Sequence, residues 1–92
     1  MATAIGNVTY NRVGTHRLFY IVSGNDSGQG PNVVSANCYT AGSGNKLVSF
    51  SKLENGIWDL SFEFTHPGKY LFSIHEDGER KLIFIVTIVH EN

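Results

Sequence analysis

The sequence predicts an all-β protein that folds as a two-sheet antiparallel sandwich of seven strands, in a single domain over residues 1–92. Three observations predict this class. Short runs rich in valine, isoleucine, phenylalanine and tyrosine recur at strand length, and glycine, asparagine, aspartate or proline separates them. No segment shows helical periodicity over ten residues, and alanine, the best helix former, occurs only four times. The chain length of 92 residues suits one small sandwich domain.

The first three strands are predicted at residues 7–13, 17–23 and 32–40. The intervening segment 24–31 contains three glycines and one proline in eight residues, a composition that neither a strand nor a helix tolerates. We therefore expect a loop there. Its length makes it a candidate recognition loop, and the polar side chains that we expect to make contacts are Asn25, Asp26 and Gln29.

The remaining four strands are predicted at residues 46–53, 57–64, 69–75 and 81–90. The fifth and sixth strands show the clearest alternation of large apolar and smaller or polar residues, which is typical of a strand with one buried face. An Asp-Gly pair between the last two strands is the strongest short hairpin signal. The side chains expected in the core are Tyr20, Trp58, Leu60, Phe62, Tyr70, Phe72, Leu82, Phe84 and Val86.

Residues 55–88, "NGIWDLSFEFTHPGKYLFSIHEDGERKLIFIVTI", resemble the last three strands of an immunoglobulin-like β-sandwich. The shared pattern is an alternating strand that ends in phenylalanine, then Pro-Gly-x-Tyr, then a hairpin into a long last strand. Tyr70 resembles the tyrosine-corner residue, whose hydroxyl bonds back to the connecting backbone. The chain departs from antibody domains because it lacks their cysteine pair and carries its tryptophan on the fifth strand. The resemblance therefore implies the kind of domain found in bacterial surface, periplasmic and phage virion proteins.

Composition and charge exclude several function classes. The formal net charge is −1, so there is no basic surface of the kind that nucleic-acid binding requires. A nearly neutral chain has little charge repulsion, which favours self-association. The start of the chain lacks a basic region followed by a long apolar run, so we expect no signal peptide. The apolar run 81–90 is about half the length of a membrane-spanning helix, and we expect no membrane contact; a virion or the cytoplasm remains open as the compartment.

The sequence predicts neither a metal site nor a cofactor. The densest group of potential ligands is His75, Glu76 and Asp77, which lies at a hairpin mouth where polar residues are common. The ligand spacings typical of zinc sites are absent from the sequence.

Catalysis is not predicted either. The single cysteine, Cys38, shares a strand face with Val34 and Ala36, so we expect a thiol in the core rather than a nucleophile. Asp59 and Glu63 lie four residues apart on one strand face, which is the solvated face of an antiparallel strand.

The last strand raises a question about its second face. Leu82, Phe84, Val86 and Ile88 fall on one face, whereas Ile83, Ile85 and Val89 fall on the other. Either a bend or bulge turns successive halves of the strand toward the core, or another protein covers the second face. On the second reading, the interface consists of Leu71, Ile83, Ile85 and Val89.

These observations predict a non-catalytic structural or assembly module. Its partner would be protein, either further copies in a homo-oligomer or a larger complex of the virion or surface accessory kind. The alternative is a carbohydrate- or peptide-binding module that uses exposed aromatic residues such as Tyr10 and Tyr39. A small enzyme is a third, weaker reading.

Overall fold

The computed structural model describes residues 2–4, 7–22, 30–54 and 56–89. These residues form nine strands and no helix, and accordingly none of them contributes to a helix that could cross a membrane. In chain order the strands are β1 Ala2–Ala4, β2 Val8–Tyr10, β3 Gly14–Val22, β4 Val34–Thr40, β5 Gly44–Ser49, β6 Ser51–Glu54, β7 Ile57–Phe64, β8 Gly68–Glu76 and β9 Glu79–Ile88.

The strands form two sheets. The four-stranded sheet has the order β1-β3-β7-β6, and the five-stranded sheet has the order β2-β9-β8-β4-β5. Every neighbouring pair is antiparallel except β2 and β9, which run parallel. The predicted all-β class and the two mainly antiparallel sheets are confirmed, whereas the predicted number of seven strands is wrong.

Two segments that change sheets account for the difference in strand number. The predicted fourth strand, 46–53, is divided at Phe50, so that β5 belongs to the five-stranded sheet and β6 to the four-stranded sheet. The Phe50 side chain is buried in the core, and its backbone N–H donates to the carbonyl of Val34 over 2.8 Å. A buried aromatic ring at the crossing holds the bend in place. At the start of the chain, β1 is an additional strand in the four-stranded sheet, and β2, which corresponds to the first predicted strand, belongs to the five-stranded sheet.

The core lies between the sheets and is dominated by aromatic rings. Seven of the nine predicted core residues are buried, and the other two, Leu60 and Leu82, are partly buried and pack against the cluster. Each sheet has an inner face because successive side chains of a strand point to opposite sides, and the inward ones are apolar. Cys38 is buried as expected, together with Val34 and Ala36 on the same strand face. The buried residues that were not predicted are Leu18, Phe50, Phe64, Ile74 and Ile88.

The Tyr70 hydroxyl bonds back to the backbone of the β7–β8 connection, as expected from the sequence. The Tyr70 hydroxyl donates to the carbonyl of His66 over 2.7 Å and accepts from the His66 N–H over 3.2 Å. The predicted Asp-Gly hairpin is also present, with positive φ at both Asp77 (50°) and Gly78 (89°), as the tight turn between twisted strands requires.

Strand β9 keeps one face toward the core along its second half. Phe84, Val86 and Ile88 are buried, whereas Ile83, which precedes them, is exposed and Ile85, on the same face as Ile83, is half-buried. The register shift in the β8–β9 pair lies between Ile74 and His75, near the hairpin, and does not reverse the faces of β9 beyond it. A bulge is thus present in β9, because Lys81 has no partner on β8, but it does not turn successive halves of the apolar run toward the core, and the side chains of Ile83 and Ile85 point outward.

Candidate functional site: an apolar patch on the five-stranded sheet

Two adjacent cross-strand rows on the outward face of the five-stranded sheet carry large apolar side chains. In the first row Tyr39 lies opposite Leu71, and Leu71 lies opposite Ile85. The second row runs through Leu47, Asn37, Ser73 and Ile83. Side chains that lie directly opposite each other on neighbouring strands are close enough to be in contact. We define the outer apolar patch by its five large apolar residues, Tyr39, Leu47, Leu71, Ile83 and Ile85.

The outer apolar patch is open to solvent. Leu47 is 73% exposed and Ile83 is 48% exposed, and Tyr39 and Leu71 are also exposed, while Ile85 is half-buried. A shallow depression of about 290 Å³ lies over the first row, and its wall is almost entirely apolar. Lys69 stands at its rim. Neither of the two rows contains a charged residue.

Three of the four predicted interface residues come together in this patch. Leu71, Ile83 and Ile85 lie on the adjacent strands β8 and β9 with their side chains on one face. Val89 does not join them. It follows the end of β9, and the row that contains Lys69 and Thr87 separates it from Ile85. The Val89 N–H instead donates to the carbonyl of Tyr10 over 2.9 Å.

Two members of the patch were missed as interface residues. The sequence predicts Tyr39 only as a contact of the alternative ligand-binding module, and it predicts no role for Leu47. Their place in the patch depends on the strand order β8-β4-β5, which a single sequence does not reveal. The predicted loop contacts Asn25, Asp26 and Gln29 lie outside the described residues.

The carboxylates at the β8–β9 hairpin have structural partners. The Tyr20 hydroxyl, buried on β3, donates to Glu76 and so links the two sheets. Burial, together with this carboxylate, raises the pKa of Tyr20 well above its usual value. The Asp77 carboxylate accepts from the backbone N–H groups of Asn32 and Val33, at 3.0 and 2.9 Å. Within the described part of the chain, no three histidine, cysteine or acidic side chains are grouped to hold a metal ion.

The other residues considered for catalysis are spread apart or buried. Burial raises the pKa of the Cys38 thiol, whereas a nucleophilic cysteine needs a lowered pKa. Asp59 is paired with Arg17 at 2.7 Å on the outer face of the four-stranded sheet. A separation of four strand positions puts the Cα atoms of Asp59 and Glu63 about 13 Å apart.

Comparisons with known proteins support the fold and leave the family open. No protein-family model matches this sequence, and no curated protein matches it. Among solved structures, the chain is similar to part of a protein from Bacteroides vulgatus described as a "putative glycoside hydrolase", with a TM-score of 0.55 and 15% sequence identity. The match covers 95% of this chain but only 17% of that chain. At this level of identity, the likeness concerns the fold alone.

Proposed function

We propose that this chain is a non-catalytic, immunoglobulin-like module that contacts another protein through the outer apolar patch, and that a second copy of the chain is its first partner. The observation that carries the proposal is the pair of adjacent rows with five large apolar side chains and no charge between them. A contiguous exposed apolar surface of this kind is unusual on a monomer and is typical of an interface.

Strand order supports the immunoglobulin-like assignment. The order β1-β3-β7-β6 corresponds to that of the first sheet in such domains, and β9-β8-β4 corresponds to the second, with β5 as an added edge strand. The Tyr70 hydroxyl also bonds to the backbone of His66 at the corner where these domains carry their conserved tyrosine. Fold likeness does not carry function, so the interface is argued from the patch itself.

Energetics support contact through the patch. Removing one such side chain from water is worth roughly 1.5–3 kcal/mol. Small domains have a total stability of only about 5–15 kcal/mol, so several uncovered side chains represent a large unused contribution. A module that packs against neighbouring domains or subunits would cover these side chains. An assembly role of the virion or surface accessory kind fits this setting.

Light scattering coupled to size exclusion, at several protein concentrations, tests the proposal. We expect a mass above the 10.2 kDa of one chain, and we expect Ile85→Lys and Ile83→Lys each to restore the single-chain mass without changing the circular dichroism spectrum. The matched control is Ile21→Lys, which places the same charge at an exposed isoleucine of the four-stranded sheet. A single-chain mass up to about 1 mM would exclude the second copy as partner.

A carbohydrate-binding module is the second candidate, and exposed Tyr39 in the apolar depression favours it. The other predicted aromatic contact, Tyr10, stacks on His16 with ring centroids 3.9 Å apart, which engages one of its ring faces. Affinity electrophoresis in gels containing soluble polysaccharides separates the two candidates. Retardation that is lost in Tyr39→Ala, with no change of mass in solution, would favour the carbohydrate module.

A further inference from the structure

The four-stranded sheet has an open edge along the second half of β7. Because β5 and β6 are one extended run that changes sheets at Phe50, β6 reaches β7 only at its beginning. The paired residues there are Ser51 with Asp59, Lys52 with Trp58 and Glu54 with Ile57. From residue 60 to residue 64, β7 has β3 on one side and, among the described residues, no strand on the other.

The hydrogen-bond pattern identifies the backbone groups at this edge. The Val22 N–H donates to the carbonyl of Gly56 over 2.8 Å, which marks these two residues as a hydrogen-bonded pair between β3 and β7. Such pairs recur at every second residue of an antiparallel ladder, so the even-numbered residues of β7 bond to β3. The backbone N–H and C=O groups of Ser61 and Glu63 therefore point to the open edge, and both residues are exposed.

A cleft lies beside this edge, between β7 and β5. It has a volume of about 240 Å³, and the residues that line it include Phe62, Cys38 and Tyr70. Lys46, on β5, extends across it with its ammonium 5.4 Å from the centre of the Phe62 ring. The ion pairs within the described residues do not include Lys46. The cleft thus combines an aromatic wall, a free positive charge and unpaired backbone groups.

We propose that an extended peptide segment of a partner protein binds here by adding a strand to β7. Backbone groups at an open sheet edge are satisfied by another extended chain, and pockets for alternate side chains give such binding its specificity. One inward side chain of the peptide is apolar and packs on Phe62, and another is a carboxylate that pairs with Lys46. This site is independent of the outer apolar patch, because it lies between the sheets and not on an outer face.

The test uses a tethered peptide as the probe. The seven-residue peptide alternates threonine with valine, glutamate and valine, and a 15-residue glycine-serine linker joins it to the end of the chain. The linker spans about 20 Å, against about 17 Å for three strand spacings from β9 to β5 combined with the separation of the two sheets, and tethering supplies an effective concentration in the millimolar range. The control carries two prolines in the peptide, which remove the donors needed for strand pairing.

Amide hydrogen exchange followed by NMR measures binding of the peptide at the open edge of β7. We expect the N–H exchange of Ser61 and Glu63 to slow roughly tenfold or more with the tethered peptide and to stay unchanged with the proline control. Unchanged exchange at both residues with the peptide attached would overturn the proposal. Ile83→Lys should leave the protection intact, so a failure here is distinguishable from a failure of the outer apolar patch.

Two variants identify the strand edge to which the peptide binds. Ser61→Pro removes an N–H that faces the open edge and leaves the bonds to β3 in place, so we expect it to abolish the protection at Glu63. The matched variant Leu47→Pro does the same at the outer edge of β5 and should retain the protection; the reverse result would assign the peptide to β5 and overturn the proposal. If Ser61→Pro does not fold, Lys46→Glu tests the same site. This variant should weaken the protection of the Ser61 and Glu63 amides by the glutamate-containing peptide, and it should strengthen their protection by a lysine-containing peptide.

Discussion

The two faces of β9 carry side chains of the same kind and have opposite surroundings. On the inner face, Phe84, Val86 and Ile88 are almost completely buried in the aromatic core. On the outer face, Ile83 and Ile85 belong to the outer apolar patch, although nothing in their side-chain chemistry distinguishes them from their inner neighbours. Apolar residues on both faces of a strand permit burial on both sides. The packing of one sheet on the other determines which of the two faces the domain itself buries.

The largest expected difference between the two faces is in stability. The Phe84 ring is 2% exposed and stacks on Phe72 with ring centroids 5.2 Å apart. We expect Phe84→Ala to lower the free energy of unfolding by about 3–5 kcal/mol, because it leaves a cavity in the core. Ile83→Ala, on the outer face, should lower it by less than about 1 kcal/mol. Urea denaturation of the two variants measures both changes, and equal losses would mean that the outer face contributes to the fold as much as the core does. If Phe84→Ala does not fold at all, Phe84→Leu gives a milder version of the same comparison.

A polar contact on the inner side gives the second prediction. The Tyr20 hydroxyl is buried and donates to Glu76, and burial raises its pKa above the ordinary value near 10. Above pH 10 the unfolded chain loses this proton while the folded chain keeps it, so the stabilisation is fully present below pH 10 and declines as the pH rises further.

We expect Tyr20→Phe to lower the free energy of unfolding by roughly 1.5–3 kcal/mol at pH 7, the range for a hydrogen bond to a charged group. We also expect the decline of stability between pH 10 and 11 to be shallower in the variant than in the natural chain. Thermal unfolding at a series of pH values measures both effects. Parallel pH profiles for the two proteins would show that the Tyr20 hydroxyl titrates normally and that its contact with Glu76 does not hold the proton.

How much of this fold the sequence predicts depends on the length of each pattern. Strands β7 and β8 were predicted because their alternation continues over seven or eight residues. The division at Phe50 was missed because the run 46–53 contains no glycine or proline, and its strand-like composition continues through the bend. The three-residue strand β1 was missed because so short a segment carries no periodicity.

The outer apolar patch was predicted in part for a related reason. Leu71, Ile83 and Ile85 lie on two strands that are consecutive in the chain and joined by a recognisable hairpin, so their proximity follows from local sequence. Tyr39 and Leu47 join them only because β4 and β5 complete the same sheet, which is a long-range pairing. The open edge of β7 was not predicted, since it depends on where the pairing between β6 and β7 ends.

The smallest expected effect on stability concerns two outer residues on different sheets. Phe19 is 41% exposed and Ile83 is 48% exposed, and threonine is well accommodated in strands, so Ile83→Thr and Phe19→Thr should each change the free energy of unfolding by about 0.5 kcal/mol or less. Their surroundings differ. The Arg17 guanidinium lies 5.0 Å from the Phe19 ring centre and is also paired with Asp59, whereas Ile83 has no charged residue in its row.

We therefore expect the two substitutions to separate in light scattering even though they coincide in denaturation. Ile83→Thr should weaken self-association, because it removes apolar area from the outer apolar patch, while Phe19→Thr should leave the mass at each concentration unchanged. If Phe19→Thr weakened association as much as Ile83→Thr, exposure alone would govern contact, and the uncharged rows of the five-stranded sheet would have no special role. An effect confined to Ile83→Thr would mean that the outer face of β9 is maintained for a partner, since the domain's own stability does not depend on it.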